Sequence, residues 1–174
     1  MKNTSSVSKY YLNNSRDNNT KPLIKCVYSN CVTTTASVGY YLNSANNNLI
    51  YCKTNTICNA VNGISGTAYI NQSERKNSLP VISCSYGSCS EINISADSIY
   101  VDGSTSLGGN YFSNIIKKIG NSVISFKFSN NKYSVENGYS LNSAVLSTSL
   151  YDNIIIHCVN KNNNGACQYE RSII

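Results

Sequence analysis

The segment at residues 39–58 reads GYYLNSANNNLIYCKTNTIC, and the rest of the chain is built from variations on it. It holds two short patterns. At residues 40–43 an aromatic or apolar residue is followed by Tyr, an aliphatic residue and Asn. At residues 49–52 two aliphatic residues and a variable one are followed by Cys, with a second Cys soon after. Both patterns are rich in Tyr, Ile and Leu and are bounded by Asn and Ser, which favours β-strands joined by loops.

Both patterns recur along the whole chain. The Tyr pattern returns at residues 10–13, 68–71, 99–102 and 139–142, and the Cys pattern at residues 23–26, 81–84, 123–126 and 155–158, with Phe126 in place of Cys. Recurrence at intervals of about 30 residues is typical of stacked arrays. We therefore predict one repeat domain over residues 1–174, with units at approximately 10–38, 39–66, 67–97, 98–137 and 138–174.

The predicted fold is all-β, with a β-solenoid of about five coils as the leading architecture and a β-sandwich of the same short strands as the alternative. An Ile occupies the second position of every Cys pattern, so we expect one internal column, formed by Ile24, Ile50, Ile82, Ile124 and Ile156. The segment from the Tyr pattern to the next Cys pattern varies in length and predicts loops at one edge. In the longest such segment, residues 111–119 have a faint helical pattern.

The eight Cys residues form four close pairs: Cys26 and Cys31, Cys52 and Cys58, Cys84 and Cys89, Cys158 and Cys167. Sequence alone leaves 105 pairings open. The fourth unit lacks both of its Cys residues, with Phe126 and either Tyr133 or Asn131 in their places. Because disulfide partners tend to be lost together, we predict one disulfide within each of the other units and an oxidising compartment. The gaps between Cys residues do not match those of zinc sites, so no metal is expected.

Charge and composition argue against several function classes. Only 13% of residues are charged, the net charge is +6, and the basic residues are scattered rather than clustered. A nucleic-acid partner is therefore not expected. No stretch of 18 apolar residues that could span a membrane occurs. His157 takes a variable position of the Cys pattern, and no acidic residue recurs at a fixed place except Asp102, which replaces the motif Asn. We predict neither catalysis nor a cofactor.

Strand alternation predicts which tyrosines face outward. Side chains on a strand point alternately to opposite faces. If the aliphatic residue before the motif Asn faces inward, the preceding Tyr faces outward. The predicted ladder of outward tyrosines, and the candidate partner-binding site, is Tyr11, Tyr41, Tyr69 and Tyr100. A simpler interpretation is that these tyrosines only cover sheet or pack under loops.

The repeat resembles the Cys-containing repeats of scaffoldins, the large secreted proteins of anaerobic gut fungi. The resemblance rests on Gly39, residues 40–43, residues 49–52 and Cys58, and it recurs from Tyr10 to Cys167. Scaffoldins of this family are thought to carry cohesin-like repeats that dock the small Cys-rich dockerins of cellulose-degrading enzymes. The resemblance implies an extracellular cohesin module, cut from a larger scaffoldin of a cellulosome, whose partners are dockerin domains of plant-cell-wall-degrading enzymes.

Two other functions compete with protein docking. The ladder could serve a carbohydrate-binding or adhesive surface module, because sugars stack on exposed aromatic rings, although the chain has no Trp. A β-helix enzyme that cleaves polysaccharides is the third possibility, since a carboxylate pair can be assembled from distant residues. The docking module remains the leading hypothesis.

Overall fold

The computed structural model of the chain describes residues 7–15, 17–127, 138–141, 155–161 and 164–170. The prediction of an all-β fold is confirmed. Within the described residues there is no α-helix, and the helical elements are short 3-10 turns at Glu74–Asn77 and Gly103–Thr105.

Each predicted unit contributes an antiparallel sheet of three strands, and unit four has two further strands inserted between the first and second of them; all strands are numbered in chain order. Unit one has β1 (Ser8–Leu12), β2 (Leu23–Val27) and β3 (Asn30–Thr34). Unit two has β4 (Gly39–Asn43), β5 (Asn48–Cys52) and β6 (Cys58–Val61). Unit three has β7 (Thr67–Ile70), β8 (Val81–Ser85) and β9 (Ser88–Ile92). Unit four has β10 (Ile99–Val101), the inserted β11 (Ser106–Gly108) and β12 (Tyr111–Phe112), then β13 (Asn114–Ile119) and β14 (Ser122–Lys127). Unit five has β15 (Gly138–Leu141), β16 (Ile155–Lys161) and β17 (Asn164–Glu170).

The first two strands of every unit pair in the same register. The residue at the Tyr position lies opposite an Ile in the pairs Tyr11–Ile24, Tyr41–Ile50, Tyr69–Ile82, Tyr100–Ile116 and Ser140–Ile156. In unit four this Ile is Ile116, so the expectation for Ile124 is wrong. Ile124 lies on the third strand, β14. The expected helix at residues 111–119 is also wrong, because those residues form β12 and β13 and a turn at Gly120–Asn121 closes a hairpin.

Each unit has two faces, and consecutive units pack face to face. We call one the Tyr–Ile face, which holds the motif Tyr, the Ile opposite it and the Cys of the second strand. The other is the aliphatic face, which holds the residues between them. One core cluster joins Tyr10 and Leu23 of unit one to Tyr41 and Ile50 of unit two. The same combination recurs between units two and three, three and four, and four and five. Both faces of an inner unit are therefore buried.

Hydrogen bonds between consecutive units are sparse. The first strands of neighbouring units meet in parallel at one residue pair each, Tyr10–Asn43, Tyr40–Asn71 and Ala68–Asp102. The described strands accordingly form separate sheets of six, three, five and three strands. This pairing is much shorter than the continuous parallel ladder of a β-solenoid, because each unit is a meander that closes its hydrogen bonds within itself.

Four disulfides, each within its own unit, join Cys26 to Cys31, Cys52 to Cys58, Cys84 to Cys89 and Cys158 to Cys167. The two Cys residues of each pair lie directly opposite each other on the second and third strands. This pairing is the one expected from the sequence, and it indicates an oxidising environment.

In unit four the register that holds a disulfide elsewhere is occupied by Lys118 and Val123. Phe126 was expected to replace one of these Cys residues, but it lies three residues further along β14, opposite Ile115. It is buried in the core between units four and five. The other expected replacements, Tyr133 and Asn131, lie outside the described residues.

In units one to four the motif Asn or Asp explains how the first strand ends. Asn13, Asn43 and Asn71 are buried, and each side-chain oxygen accepts a hydrogen bond from the backbone N–H two residues later, at 2.9–3.1 Å. Asp102 makes the same turn with the N–H of Ser104 at 2.9 Å. Asx turns of this kind reverse the chain. The motif Asn is therefore a structural residue that directs the chain into the loop before the second strand.

Candidate partner-binding surface

The predicted ladder of outward tyrosines is wrong for three of its four members. Tyr41, Tyr69 and Tyr100 are 4%, 3% and 4% exposed, and each belongs to a core cluster between units. The side chains alternate between the two faces as expected, but neither face of an inner unit meets solvent, because stacked units bury both faces. Tyr11, the fourth member, is partly exposed.

The hydroxyl groups of two buried tyrosines form hydrogen bonds with the segments that connect the units. The Tyr41 hydroxyl accepts a hydrogen bond from the backbone N–H of Ser37 at 2.8 Å. The Tyr69 hydroxyl accepts one from the N–H of Ile64 at 3.0 Å. A Phe at either position would leave a polar backbone group without this partner. The repeated Tyr is thus explained by packing and by these bonds rather than by contact with a partner.

Tyrosines on the aliphatic faces are also internal. The ring of Tyr40 lies 4.8 Å from that of Tyr51 and 4.7 Å from that of Tyr69. The ring of Tyr10 lies 5.1 Å from that of Tyr41. Burial raises the pKa of both Tyr10 and Tyr40 to about 12. These rings therefore supply core packing between units, and a surface for a partner has to be sought elsewhere.

Large apolar side chains are exposed at the turns between the two Cys residues of units one to three. Tyr28 is 71% exposed, Ile57 53% and Tyr86 64%. We call these three residues the hairpin-tip surface. Each lies inside a loop closed by a disulfide: Tyr28 and Tyr86 come two residues after the first Cys, and Ile57 comes directly before the second. Exposed aromatic and aliphatic side chains held on a rigid support are typical anchors of protein interfaces.

Two of these turns have an unfavourable backbone conformation. Tyr28 and Tyr86 have φ angles of 54° and 52°, in the left-handed region. Each is the first residue of a two-residue turn, between the pairs Val27–Asn30 and Ser85–Ser88. This conformation costs a residue with a bulky side chain roughly 1–2 kcal/mol, whereas Gly and Asn adopt it readily. Tyr at both positions therefore costs stability, which suggests selection for another property.

The hairpin tip of unit four is different. Its turn is Gly120–Asn121, with Gly120 at a φ of 59°, and neither residue has a large apolar side chain. The sequence contained a signal for the difference, because residues 26–31 and 84–89 both read Cys, any residue, Tyr, two small polar residues or Gly, and Cys. The strand patterns do not include this signal, because it lies in the turns.

A groove lies between units three and four. It has a volume of about 580 Å³, and its polar lining includes the amides of Gln72, Asn93 and Asn121 and the ammonium groups of Lys76 and Lys118. Apolar parts come from Ile70, Pro80 and Val123, and none of the described residues that line it carries a carboxylate. The groove adjoins the register position where unit four has Lys118 in place of a Cys.

The polar clusters that carry carboxylates serve to hold loops. The Glu91 side chain is 7% exposed and accepts hydrogen bonds from Asn71 at 2.8 Å and Ser73 at 2.9 Å, with Arg75 at 3.0 Å. Hydrogen bonds from Ser15, Asn13 and Thr33 lower the pKa of Asp17 to about 2. In the part of the chain that the structure describes, no group of three or more His, Cys, Asp or Glu residues could hold a metal ion.

Comparison with known proteins found no matching family model, no matching curated protein and no matching solved structure. Among the described residues, no helix is both long and apolar enough to cross a membrane. Function is therefore inferred from the surface features of this chain.

Proposed function

We propose that this chain is a non-catalytic protein-docking module of a secreted scaffoldin, and that it binds dockerin domains of plant-cell-wall-degrading enzymes through the hairpin-tip surface. The observation that carries the proposal is the pair of exposed, left-handed tyrosines Tyr28 and Tyr86 on disulfide-closed turns. Costly backbone conformations persist where they serve a purpose such as a pre-organised binding group.

The physical properties of the hairpin-tip surface favour docking. Tyr loses little side-chain entropy on binding and offers both an apolar ring and a hydroxyl. The disulfide behind each tip limits how far the turn can deform, which lowers the cost of ordering the interface. The module is proposed to be extracellular, in agreement with its four disulfides. Its units are proposed to act as a short solenoid-like repeat array that displays the tips at regular intervals.

The docking proposal can be tested with a purified dockerin from a cellulosomal enzyme. Binding is measured by calorimetry for the parent protein and for the double variant Tyr28→Asn with Tyr86→Asn. Asn adopts the left-handed conformation without the cost that Tyr bears, as Asn47 does at a φ of 52°. We expect affinity to fall about 10- to 100-fold, as for lost interface anchors. We expect the free energy of unfolding to rise by up to about 1 kcal/mol per site.

The matched control is Tyr111→Asn. Tyr111 is 50% exposed and lies on β12 in the insertion of unit four, away from the Cys-closed turns. It should leave the affinity unchanged. If the double variant is more stable and still binds the dockerin at full strength, the hairpin tips are not the docking surface.

A second candidate function is carbohydrate binding in the groove between units three and four. The observation that favours it is the concentration of amide side chains, which donate and accept hydrogen bonds as sugar hydroxyls require. Calorimetric titration with cello- and xylo-oligosaccharides tests it. Binding that is weakened by Asn93→Ala and Asn121→Ala but not by the tyrosine variants would favour the groove. No heat of binding with either sugar series would exclude this function for these ligands.

A further inference from the structure

The disulfide of unit three packs tightly against the backbone of unit two. The N–H of Cys89 donates a hydrogen bond to the carbonyl of Asn47 at 2.6 Å. Gly63 lies so close that a Cβ there would come within 2.3 Å of the Cys84 sulfur and 2.6 Å of the Cys89 sulfur. The side-chain oxygen of Asn48 accepts a hydrogen bond from the Gly63 N–H at 2.6 Å. The contact between units two and three therefore leaves no room for a ligand beside this disulfide.

The corresponding place between units three and four is open. Lys118 and Val123 have the register positions of the two Cys residues of unit three. Pro80 precedes the second strand of unit three as Asn48 precedes that of unit two, and its side chain cannot form the hydrogen bonds of an Asn. The groove of about 580 Å³ lies here and is lined by all three substituted residues, Lys118, Val123 and Pro80. The opening thus follows from changes at the positions that close the other contact.

The groove has positive charge that no described carboxylate neutralises. It is lined by Lys76, which is exposed, and Lys118, which is half-buried. The two glutamates of unit three, Glu74 and Glu91, form ion pairs with other basic residues. An anion beside a half-buried ammonium group is partly removed from water, where the attraction between charges is stronger than at an open surface. The groove is therefore suited to a ligand that has a negative charge.

Neutral polar groups make up much of the remaining lining. The side chains with amide or hydroxyl groups are those of Asn71, Gln72, Asn77, Asn93, Asn121 and Ser122. The Asn93 oxygen accepts a hydrogen bond from the N–H of Ile94 at 2.9 Å, so its amide nitrogen can donate to a ligand. Amide groups both donate and accept, as closely spaced hydroxyl groups require. The ligand that matches the whole lining has many hydroxyl groups together with a carboxylate.

We propose that this groove binds oligosaccharides that contain uronic acid residues, with the sugar carboxylate beside Lys118 and Lys76 and the hydroxyl groups bound by the amides. The inference rests on the carbohydrate function proposed above for the groove and names its ligand class. The volume of the groove is in the range typical of small-molecule sites. A neutral sugar would leave both ammonium groups without an anion and should bind more weakly. An acidic peptide would supply carboxylates but few hydroxyl groups for the amides.

The test is calorimetric titration with trigalacturonate and with its methyl ester, which has the same sugar rings but no charge. A xylo-oligosaccharide with and without a glucuronic acid branch tests a second source of the same carboxylate. We expect the acid to bind about 10-fold more tightly than its neutral counterpart, because a charge-assisted hydrogen bond is stronger than a neutral one. The difference should shrink in about 0.5 M salt, which screens the attraction.

The double variant Lys76→Gln with Lys118→Gln should bind the acid and the ester equally. The matched control is Lys53→Gln, which removes an exposed Lys of unit two outside the groove and should leave the difference unchanged. Retained dispersion of the amide NMR spectrum verifies that each variant is folded. If the folded double variant still prefers the acid, the groove is not the site.

The titrations of the parent protein separate this inference from the proposals on which it draws. If neither acidic sugar binds more tightly than its neutral counterpart, the preference for uronic acid is wrong, whereas neutral carbohydrate binding stands. If no sugar binds at up to about 5 mM, both are wrong. Binding of tetraglutamate without binding of any sugar would assign the groove to acidic peptides instead. Dockerin binding is measured separately, so its outcome does not depend on these titrations.

Discussion

Units three and four solve the same packing problem by different means. Both place a Tyr opposite an Ile, Tyr69 with Ile82 and Tyr100 with Ile116, and bury them against the preceding unit. Unit three clamps its second and third strands with a disulfide, whereas unit four has none. The Tyr–Ile layer is therefore common to units three and four, and the disulfide is an addition to it.

Unit four compensates in two ways. Its hairpin of β13 and β14 pairs over six residue pairs, whereas β8 and β9 of unit three pair over five. Its insertion also forms β12, which pairs with β17 of unit five and covers the edge of that sheet. Phe112 of β12 is fully buried beside Cys167. An extended hairpin and an added edge strand thus replace the covalent clamp.

The largest expected effect is a loss of stability when the Tyr of the Tyr–Ile layer is removed. Comparing this loss in units three and four shows whether the layer is equally important in both. Tyr69→Ala and Tyr100→Ala should each lower the free energy of unfolding by about 3–5 kcal/mol, as for other large buried aromatics. Chemical denaturation under oxidising conditions measures it. Leu42→Ala is the control, because Leu42 is only partly buried and should cost less. A small loss for Tyr100→Ala alone would mean that unit four is held mainly by its insertion.

The second prediction concerns variants in which the motif residues of units three and four, Asn71 and Asp102, are exchanged for one another. The Asn71 amide donates hydrogen bonds to the carbonyl of Leu79 at 2.8 Å and to Glu91 at 2.8 Å. Asn71→Asp replaces this donor with a carboxylate facing two acceptors and should cost roughly 2–3 kcal/mol at neutral pH.

The reciprocal change, Asp102→Asn, should cost less than about 1 kcal/mol. The hydroxyl of Ser125, which donates to Asp102, can instead accept from the new amide. Thermal unfolding of both variants measures the difference. Equal losses of stability in the two variants would contradict the interpretation that the Asn71 amide faces acceptors whereas the Asp102 carboxylate faces a donor.

The last comparison concerns a gain of stability. Lys118 and Val123 occupy the register position that holds a disulfide in every other unit. The double variant Lys118→Cys with Val123→Cys should therefore form a fifth disulfide and add about 2 kcal/mol, as expected for closing a short loop.

Thiol titration and denaturation, with and without reductant, separate the covalent contribution from the effect of the substitutions. The reduced form serves as the control. A failure of the two thiols to oxidise would show that the strands of unit four are not aligned as in the other units.

The sequence predicted the strands and the disulfide pairs because both leave local signals, in residue pattern and in Cys spacing. It did not predict the burial of Tyr41 and Tyr69, since a strand with two buried faces and a strand with one can have the same residues. In unit four the residue pattern at 123–126 predicts the wrong strand, because the strand that pairs with β10, at Ile115 and Ile116, has no Cys. The Gly120–Asn121 turn was the local signal that could have corrected this.

The buried motif Asn also restricts how the protein can be glycosylated. Asn13 and Asn71 each begin an N-x-Ser sequon, yet their amide nitrogens donate to the carbonyls of Lys21 and Leu79 inside the fold. A glycan on either nitrogen would displace that bond and could not fit in the buried site. Asn93, in the sequon at residues 93–95, is exposed and is free of this restriction. In an expression host that attaches glycans before folding, the molecules glycosylated at Asn13 or Asn71 would therefore fail to fold. A bacterial periplasm would allow the disulfides to form without this loss of folded protein.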